Sequence, residues 1–173
     1  NLDIVTGCDL GDPATQKAIT HYINTCYVMV TILEPNCRTV GSFAPYDWVH
    51  HYATMYQHHQ EDLPHLKYCG EIALLQMKLG RFFLREQPAG SHLDYIDPWP
   101  QVQAHESVLT QLMDQCMAGQ EDADGRPVQK TTEWTANSPI LLQPMQRFIC
   151  DHQPGEHGTG LLYPSDAPHK RLC

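Results

Sequence analysis

Residues 28–37 read VMVTILEPNC, a run of apolar and β-branched residues that stops at an acidic residue, a proline and a cysteine. Apolar character without alternation is typical of a strand covered on both faces, as in an α/β sheet. We therefore predict a buried strand over 27–33. Residues 81–88, RFFLREQP, repeat the pattern of apolar run, acidic residue and proline, and predict a second such strand.

The segments around these two strands alternate between helix and strand. Asp12 and Pro13 suit a helix start, and the apolar spacing that follows predicts a helix over 13–24. The further predicted elements are a loop running into the start of a helix over 39–60, a helix over 61–80 with Pro64 in its first turn, a hairpin over 108–136 and a short helix capped by Ser138. This order predicts an open, mostly parallel, Rossmann-like α/β sheet with an antiparallel hairpin at one edge.

Length and composition set the class of protein. The 173 residues amount to one domain, which we assign to 1–149, followed by an irregular Cys/His-containing tail over 150–173. The formal net charge is -9, which counts against a free-standing nucleic-acid binder because an acidic surface repels phosphates. We expect no membrane partner, since no apolar run reaches about 18 residues. We also expect no signal peptide.

Seven cysteines are widely spaced along the chain, and none forms a CxxC pair. A secreted disulfide framework is denser and usually has an even number of cysteines. We therefore expect reduced thiols and an intracellular protein, nuclear or cytoplasmic.

One candidate site combines the two acid-proline strand ends. If a right-handed helical crossover joins the strands, both carboxyl ends lie at the same edge of the sheet. Cys37 and Glu86 would then face one cleft, as a thiolate nucleophile and a carboxyl group that holds or donates a proton. The alternative is two ordinary strand ends with turn prolines.

A second candidate site lies in the tail. Cys150, His152 and His157 have the side chains that bind zinc, although the spacing Cys-x-His-x4-His is not a common short zinc signature. The alternative is a flexible tail that happens to contain histidines. The adjacent pairs His50-His51 and His58-His59 each supply at most one ligand to a metal site.

The residues CDL at 8–10, PNCRTVGSF at 35–43 and FFLREQP at 82–88 resemble the middle of the cytosine-C5 DNA methyltransferase catalytic domain. The layout is still more similar to a degenerate relative of that domain found in retroelement polyproteins. There the similar segments are 58–88, DQCMAG at 114–119, DGRPVQKTTEW at 124–134 and the Cys/His tail.

The resemblance implies a role for each matching residue. Cys37 would attack C6 of a flipped cytosine, Glu86 would contact the ring, and Asp9 and Pro35 would contact S-adenosylmethionine. Arg38 would join these catalytic residues as a contact to phosphate, together with Arg81, Arg85 and Lys130. The partners implied are DNA and other segments of a polyprotein.

The sequence also departs from the family pattern. Asn36 separates the proline from the cysteine, Glu86 is followed by Gln-Pro, and the glycine-rich cofactor loop is absent. We therefore expect a degenerate methyltransferase-like domain that lacks full catalytic competence. Two alternatives stay open: a non-enzymatic structural or interaction domain with a zinc-stapled tail, and a hydrolase that uses Cys37 with a loop histidine.

Overall fold

The computed structural model describes residues 7–153 and 155–158. Four strands form one open sheet in the order β1-β2-β4-β3: β1 Val30–Leu33, β2 Phe82–Pro88, β3 Leu109–Asp114 and β4 Thr131–Ala136. The α-helices are α1 Pro13–Thr25, α2 Ala44–His50, α3 Tyr52–Lys78, α4 Trp99–Gln103 and α5 Pro139–Leu142. Within the described residues, 3-10 turns cover His92–Tyr95, Gln115–Ala118 and Gln143–Arg147. The mixed α/β class is as predicted.

The expectation of a mostly parallel sheet is wrong for the described residues. β1 and β2 are parallel, but β4 is antiparallel to both of its neighbours, β2 and β3. The predicted hairpin exists, and its second strand inserts between β2 and β3. Thr132, Thr135 and Ala136 in β4 are fully buried, which is the environment of a central strand.

β1 is an edge strand of the described sheet, contrary to the prediction that both of its faces are covered. Val30 and Ile32 on this strand are 38% and 64% exposed, whereas Leu33 is buried. Side chains alternate between the two faces of a strand, and α1 and α3 cover the face that carries Leu33. Val30 and Ile32 therefore lie on a face that no described element covers.

The helix predictions hold in type and differ in extent. α1 is confirmed, and the Asp12 side chain accepts a hydrogen bond from the Thr15 N–H at 2.8 Å. α3 begins at Tyr52 rather than at 61, so Pro64 lies inside the helix and not in its first turn. Helix propensity did not predict the early start of α3, because the first half of the helix is polar and rich in histidine and so has a weak apolar stripe. Contacts with α2 and with the turn after β1 fix the position of this half. Ser138 precedes α5 without a side-chain capping bond.

The main core lies between α3 and one face of the sheet. Its fully buried side chains include Leu66 of α3, Phe83 of β2 and Trp99 of α4. A smaller cluster of Leu84, Ala136 and Leu142 lies on the other face. The core thus fixes β2 from both sides and sets the position of the turn that follows it.

Candidate functional site

The two acid-proline strand ends lie side by side. β1 and β2 pair in parallel with Leu33 opposite Arg85; β1 ends there, whereas β2 continues to Pro88 beside β4, so the carboxyl ends of both strands lie at one edge. The Gln87 side chain joins the two ends, because its Nε2 donates a hydrogen bond of 2.6 Å to the backbone oxygen of Pro35. We call this edge, with the turn 35–41 and the end of β2, the rim.

The turn that carries Cys37 is tight. The Cys37 carbonyl oxygen accepts hydrogen bonds from the N–H groups of Val40 and Gly41, at 3.2 and 2.7 Å. A Cβ atom at position 41 would lie 2.8 Å from that same oxygen, so the turn requires glycine there. The Cys37 thiol is half-buried and not part of a disulfide. The backbone therefore holds this thiol at a fixed place on the rim.

The turn after β2 packs against the same segment. Ser91 Oγ lies 3.0 Å from both the Val40 carbonyl oxygen and Gln87 Oε1, and these two acceptors share its one hydroxyl hydrogen. The His92 N–H also donates to the Val40 carbonyl, at 2.6 Å. The two turns of the rim therefore form one connected unit.

Helix α3 holds the cysteine turn from the opposite side. The buried carboxylate of Asp62 accepts hydrogen bonds from Arg38 Nε at 3.1 Å and Nη2 at 2.7 Å. The same carboxylate accepts from Asn36 Nδ2 at 3.0 Å. Asp62 thus contacts both sequence neighbours of Cys37, a role that the sequence reasoning missed because Asp62 resembles an ordinary acidic residue near a helix start.

The cations expected to contact phosphate are largely engaged within the protein. Arg38 also pairs with Glu61 at 3.2 Å, which with Asp62 neutralises its charge. Arg81 is buried and donates to the Ile23 carbonyl, and the fully buried Arg85 pairs with carboxylates. These three arginines have structural partners, and nothing in the described residues supports DNA binding.

Glu86 and Gln87 point to opposite faces of β2. Gln87 is buried on the face covered by α3 and α4, whereas Glu86 is half-buried beside Trp134 of β4. The catalytic roles of Cys37, Glu86 and Arg38 stay predictions. So does the hydrolase alternative, for which His59 is the histidine placed at this turn, through a 3.2 Å hydrogen bond to Thr39 Oγ1.

A mostly apolar cavity of about 520 Å³ lies beside the rim, between α1, β1 and α3. Leu10 and Glu34 contribute to its wall, and they are the sequence neighbours of Asp9 and Pro35, the two predicted cofactor contacts. Asp9 itself is exposed, and its Oδ1 accepts a hydrogen bond from the Gly11 N–H. The volume falls in the range of small-molecule sites.

His65 lines this cavity and makes stability depend on pH. Burial lowers the pKa of His65 below its ordinary 6.5, although the nearby carboxylates of Asp62 and Asp9 oppose the shift. The unfolded chain therefore binds this proton more tightly than the folded chain. We expect the free energy of unfolding to fall as the pH drops below about 6.5, and to be unaffected by this group above that value.

Urea unfolding across this pH range measures the effect. His65→Gln should flatten the slope near pH 6.5, whereas His21→Gln, at an exposed position of α1, should leave it in place. An unchanged slope in His65→Gln would assign the pH dependence to other groups.

A cluster of two cysteines and two histidines forms beside β3, the strand that is farthest from β1 in the sheet. Cys116, Cys150, His152 and His157 each offer one ligand atom, and these atoms all lie within 4.8 Å of one another. The three predicted metal ligands are thus together, and the cluster could hold a metal. The sequence pattern did not reveal Cys116 as a fourth ligand, because it lies 34 positions before Cys150. It belongs to the 3-10 turn after β3, and the hairpin brings this turn next to the tail.

Burial raises the pKa of the Cys116 thiol to about 11, and the adjacent Cys150 adds to the shift. The Cys69 thiol, fully buried in the main core, has its pKa raised by burial to about 12. None of the six cysteines among the described residues is part of a disulfide, and the reduced state of the thiols stays a prediction. Cys173, and with it most of the predicted tail, lies outside the described residues.

No helix among the described residues combines the length and apolar character needed to cross a membrane. Comparison of the chain with protein-family models, with curated proteins and with solved structures finds no match. Function therefore has to be argued from the geometry of the rim and of the Cys/His cluster.

Proposed function

We propose that this chain is a degenerate cytosine-C5 methyltransferase-like domain of a mobile-element polyprotein, with a Rossmann-like sheet and Cys37 as its nucleophile. The observation that supports this proposal is the joining of the two strand ends by the Gln87–Pro35 hydrogen bond. It brings the turn that carries Cys37 to the strand end that carries Glu86. The two segments are thus neighbours, and addition to a pyrimidine ring uses a thiol and a carboxyl group.

The chemistry that these residues would perform is reversible addition. The Cys37 thiolate forms a bond to C6 of the cytosine. The electron pair of the C5–C6 double bond shifts to the C4–C5 bond, and the C4–N3 pair takes up a proton from Glu86 at N3. C5 then becomes nucleophilic and takes up an electrophile. Loss of the C5 proton to water, return of the N3 proton to Glu86 and departure of the thiolate then restore the double bond.

The methyl donor would supply an electrophilic methyl group, but the residues of this chain form only part of a site for it. The sequence contains no glycine-rich cofactor loop, and the cavity beside Glu34 has a mainly apolar wall. The edge of β1, with Val30 and Ile32 exposed beside it, is suited to pairing with further strands. Additional strands from the polyprotein would complete both the sheet and the cofactor site.

DNA contacts in this proposal also come mainly from other segments. The net charge of -9 and the engaged arginines leave the domain poorly suited to hold a phosphate backbone by itself. The substrate that fits is therefore a cytosine presented in single-stranded form inside the cell, in the nucleus or cytoplasm.

The test measures addition of the thiol without any methyl donor. When the Cys37 adduct forms and reverses, C5 exchanges its hydrogen with water, so a single-stranded oligonucleotide with tritium at C5 of cytosine should release tritium. We expect slow release from the wild-type protein. Cys37→Ser should abolish it, and Glu86→Gln should reduce it about 10²-fold or more through loss of the proton donor.

Cys8→Ser is the matched control, because Cys8 is also half-buried and outside any disulfide, and it has no part in the proposed chemistry. It should keep the wild-type rate. Absence of release from the wild-type protein, or equal release from the Cys37→Ser variant, would contradict the proposed function.

A second candidate function, a non-enzymatic interaction domain, is favoured by one observation. Three aromatic residues just before α2, within it and at the start of α3 are exposed: Phe43 at 85%, Tyr46 at 66% and Tyr52 at 64%. Tyr52 and Tyr56 stack with ring centroids 6.1 Å apart. Exposed aromatic clusters are enriched at protein interfaces. If the wild-type protein releases no tritium, this surface supports an interaction domain instead.

A further inference from the structure

We propose that Cys116, Cys150, His152 and His157 bind one zinc ion as a closed structural site, which fastens the segment 150–158 to the edge strand β3. Cys116 belongs to the 3-10 turn that directly follows β3, and the other three belong to the segment after α5. The site is independent of the proposed function, because the strand order places β3 at the edge opposite β1.

The distances between the ligand atoms are those that a zinc ion needs. In a tetrahedral site with Zn–S near 2.3 Å and Zn–N near 2.0 Å, neighbouring ligand atoms lie roughly 3.3–3.8 Å apart. Cys150 Sγ lies 3.3 Å from His157 Nε2 and 3.4 Å from His152 Nδ1. All four ligand atoms lie within 4.8 Å of one another, so small side-chain adjustments complete the tetrahedron.

The chemistry of the ligand set selects zinc and a structural role. Two thiolates and two neutral imidazoles balance the double charge of the ion, which suits a partly buried position. Four protein ligands fill the coordination sphere and leave no position for a substrate or an activated water. Hard cations such as Mg²⁺ and Ca²⁺ prefer oxygen ligands and do not fit this set.

Hydrogen bonds hold the backbone around the ligands. Asp114, the last residue of β3, accepts a bond of 2.9 Å from the Cys150 N–H and another of 2.6 Å from Thr131 Oγ1. The Asp114 N–H in turn donates to the Phe148 carbonyl at 2.7 Å. Cys150 is therefore placed against the end of β3 independently of any ion.

The far end of the segment is also attached. The Gly158 N–H donates to the Pro127 carbonyl at 2.9 Å, and Gly158 packs so closely on Asp122 that a side chain at 158 would collide with it. The loop between β3 and β4 and the segment after α5 thus meet around the four ligands. An ion bound there would link parts of the chain that are distant in sequence, and such a link stabilises the folded state.

The experiment measures metal content and stability on the whole chain, purified under reducing conditions. We expect about one zinc ion per chain by elemental analysis, and a melting temperature that falls by several degrees when a strong chelator removes it. Substitution by Co²⁺ should give the visible spectrum of a tetrahedral site, together with sulfur-to-cobalt charge-transfer bands in the near ultraviolet.

Variants identify the ligands. His152→Asn and His157→Asn, at half-buried positions, should each lower zinc affinity by at least 10-fold and alter the Co²⁺ spectrum, and Cys116→Ser should weaken the charge-transfer bands. Cys26→Ser is the control, because Cys26 lies exposed at the end of α1. It should change neither the zinc affinity nor the Co²⁺ spectrum. If Cys116→Ser does not fold, the two histidine variants still decide the matter. Wild-type protein without zinc and without a tetrahedral Co²⁺ spectrum, or histidine variants that bind zinc as tightly as wild type, would overturn the proposal.

Discussion

Replacing Arg85 with Met should lower the free energy of unfolding by about 3 kcal/mol, because it leaves two carboxylates without their cation. The Arg85 side chain is 1% exposed and pairs with Asp94 and with Glu133, the latter at 2.7 Å. It also lies over the ring of Trp99, 4.9 Å from the centroid. Both carboxylates keep some exposure, which places the expected loss at the low end for a broken buried pair. Urea unfolding measures it.

The pH dependence of this loss is a second readout. Burial raises the pKa of Glu133 while Arg85 opposes the shift, so removal of Arg85 favours the protonated carboxyl group still more. Acidification neutralises the carboxylates in the variant, and the stability difference from wild type should therefore shrink as the pH falls. A difference that stays constant with pH would mean that lost packing, and not lost charge pairing, causes the destabilisation.

Arg126→Met is the matched control. Arg126 also contacts two carboxylates, Asp122 and Asp124, but its side chain is 50% exposed in the loop between β3 and β4, and the 6% exposed Asp122 keeps two backbone hydrogen bonds without it. Exposed ion pairs contribute little to stability because water and salt screen them. The control variant should unfold close to the wild-type urea midpoint, and an equal loss in both variants would refute the assignment of Arg85 to a buried charge network.

Replacing Asp62 with Ala should cost about 2–3 kcal/mol and loosen the turn that carries Cys37. Asp62 is buried, and it accepts from both Arg38 and Asn36, the residues on either side of the cysteine. Its removal takes away the buried acceptor that the guanidinium and the amide share, while Arg38 keeps its contact with Glu61. We expect faster alkylation of Cys37 by iodoacetamide, followed by mass spectrometry, together with a lower urea midpoint.

Glu61→Ala tests whether the loss of any carboxylate that contacts Arg38 loosens the turn, or only the loss of the buried one. Glu61 is the preceding residue on the same helix and also contacts Arg38, but its side chain is 50% exposed. This variant should leave both the urea midpoint and the alkylation rate of Cys37 near their wild-type values. If the two variants loosen the turn equally, the buried carboxylate is not what holds the rim together.

Local patterns predicted much of the secondary structure. Capping by Asp12 and apolar spacing predict α1 within one residue at its end, and the strand predicted over 81–88 matches β2 within one residue at its start. These elements have strong signals because their own residues provide the caps and the buried faces. The extent of α3 and the exposure of β1 were not predictable in the same way, since both depend on which neighbours lie alongside.

The candidate sites also combine features that the local sequence predicts with contacts that only the fold creates. The types of side chain, Cys37 and Glu86 at strand ends and the Cys/His residues of the tail, can be read from the chain because strand ends and zinc-binding residues are local features. The contacts that build the sites are not local: Gln87 reaches Pro35, and Asp62 reaches Asn36. They exist because the parallel pairing of β1 with β2 lays distant turns against each other.

The linear order of residues was enough to establish a mixed α/β protein with two abrupt strand ends, because apolar runs, prolines and caps act within a few residues. Only the packed structure decided that β4 lies inside the sheet and that β3 forms its edge. That choice brings Cys116 to the tail ligands, although 34 positions separate it from Cys150. Burial and strand pairing depend on the whole chain at once, and no local pattern carries that information.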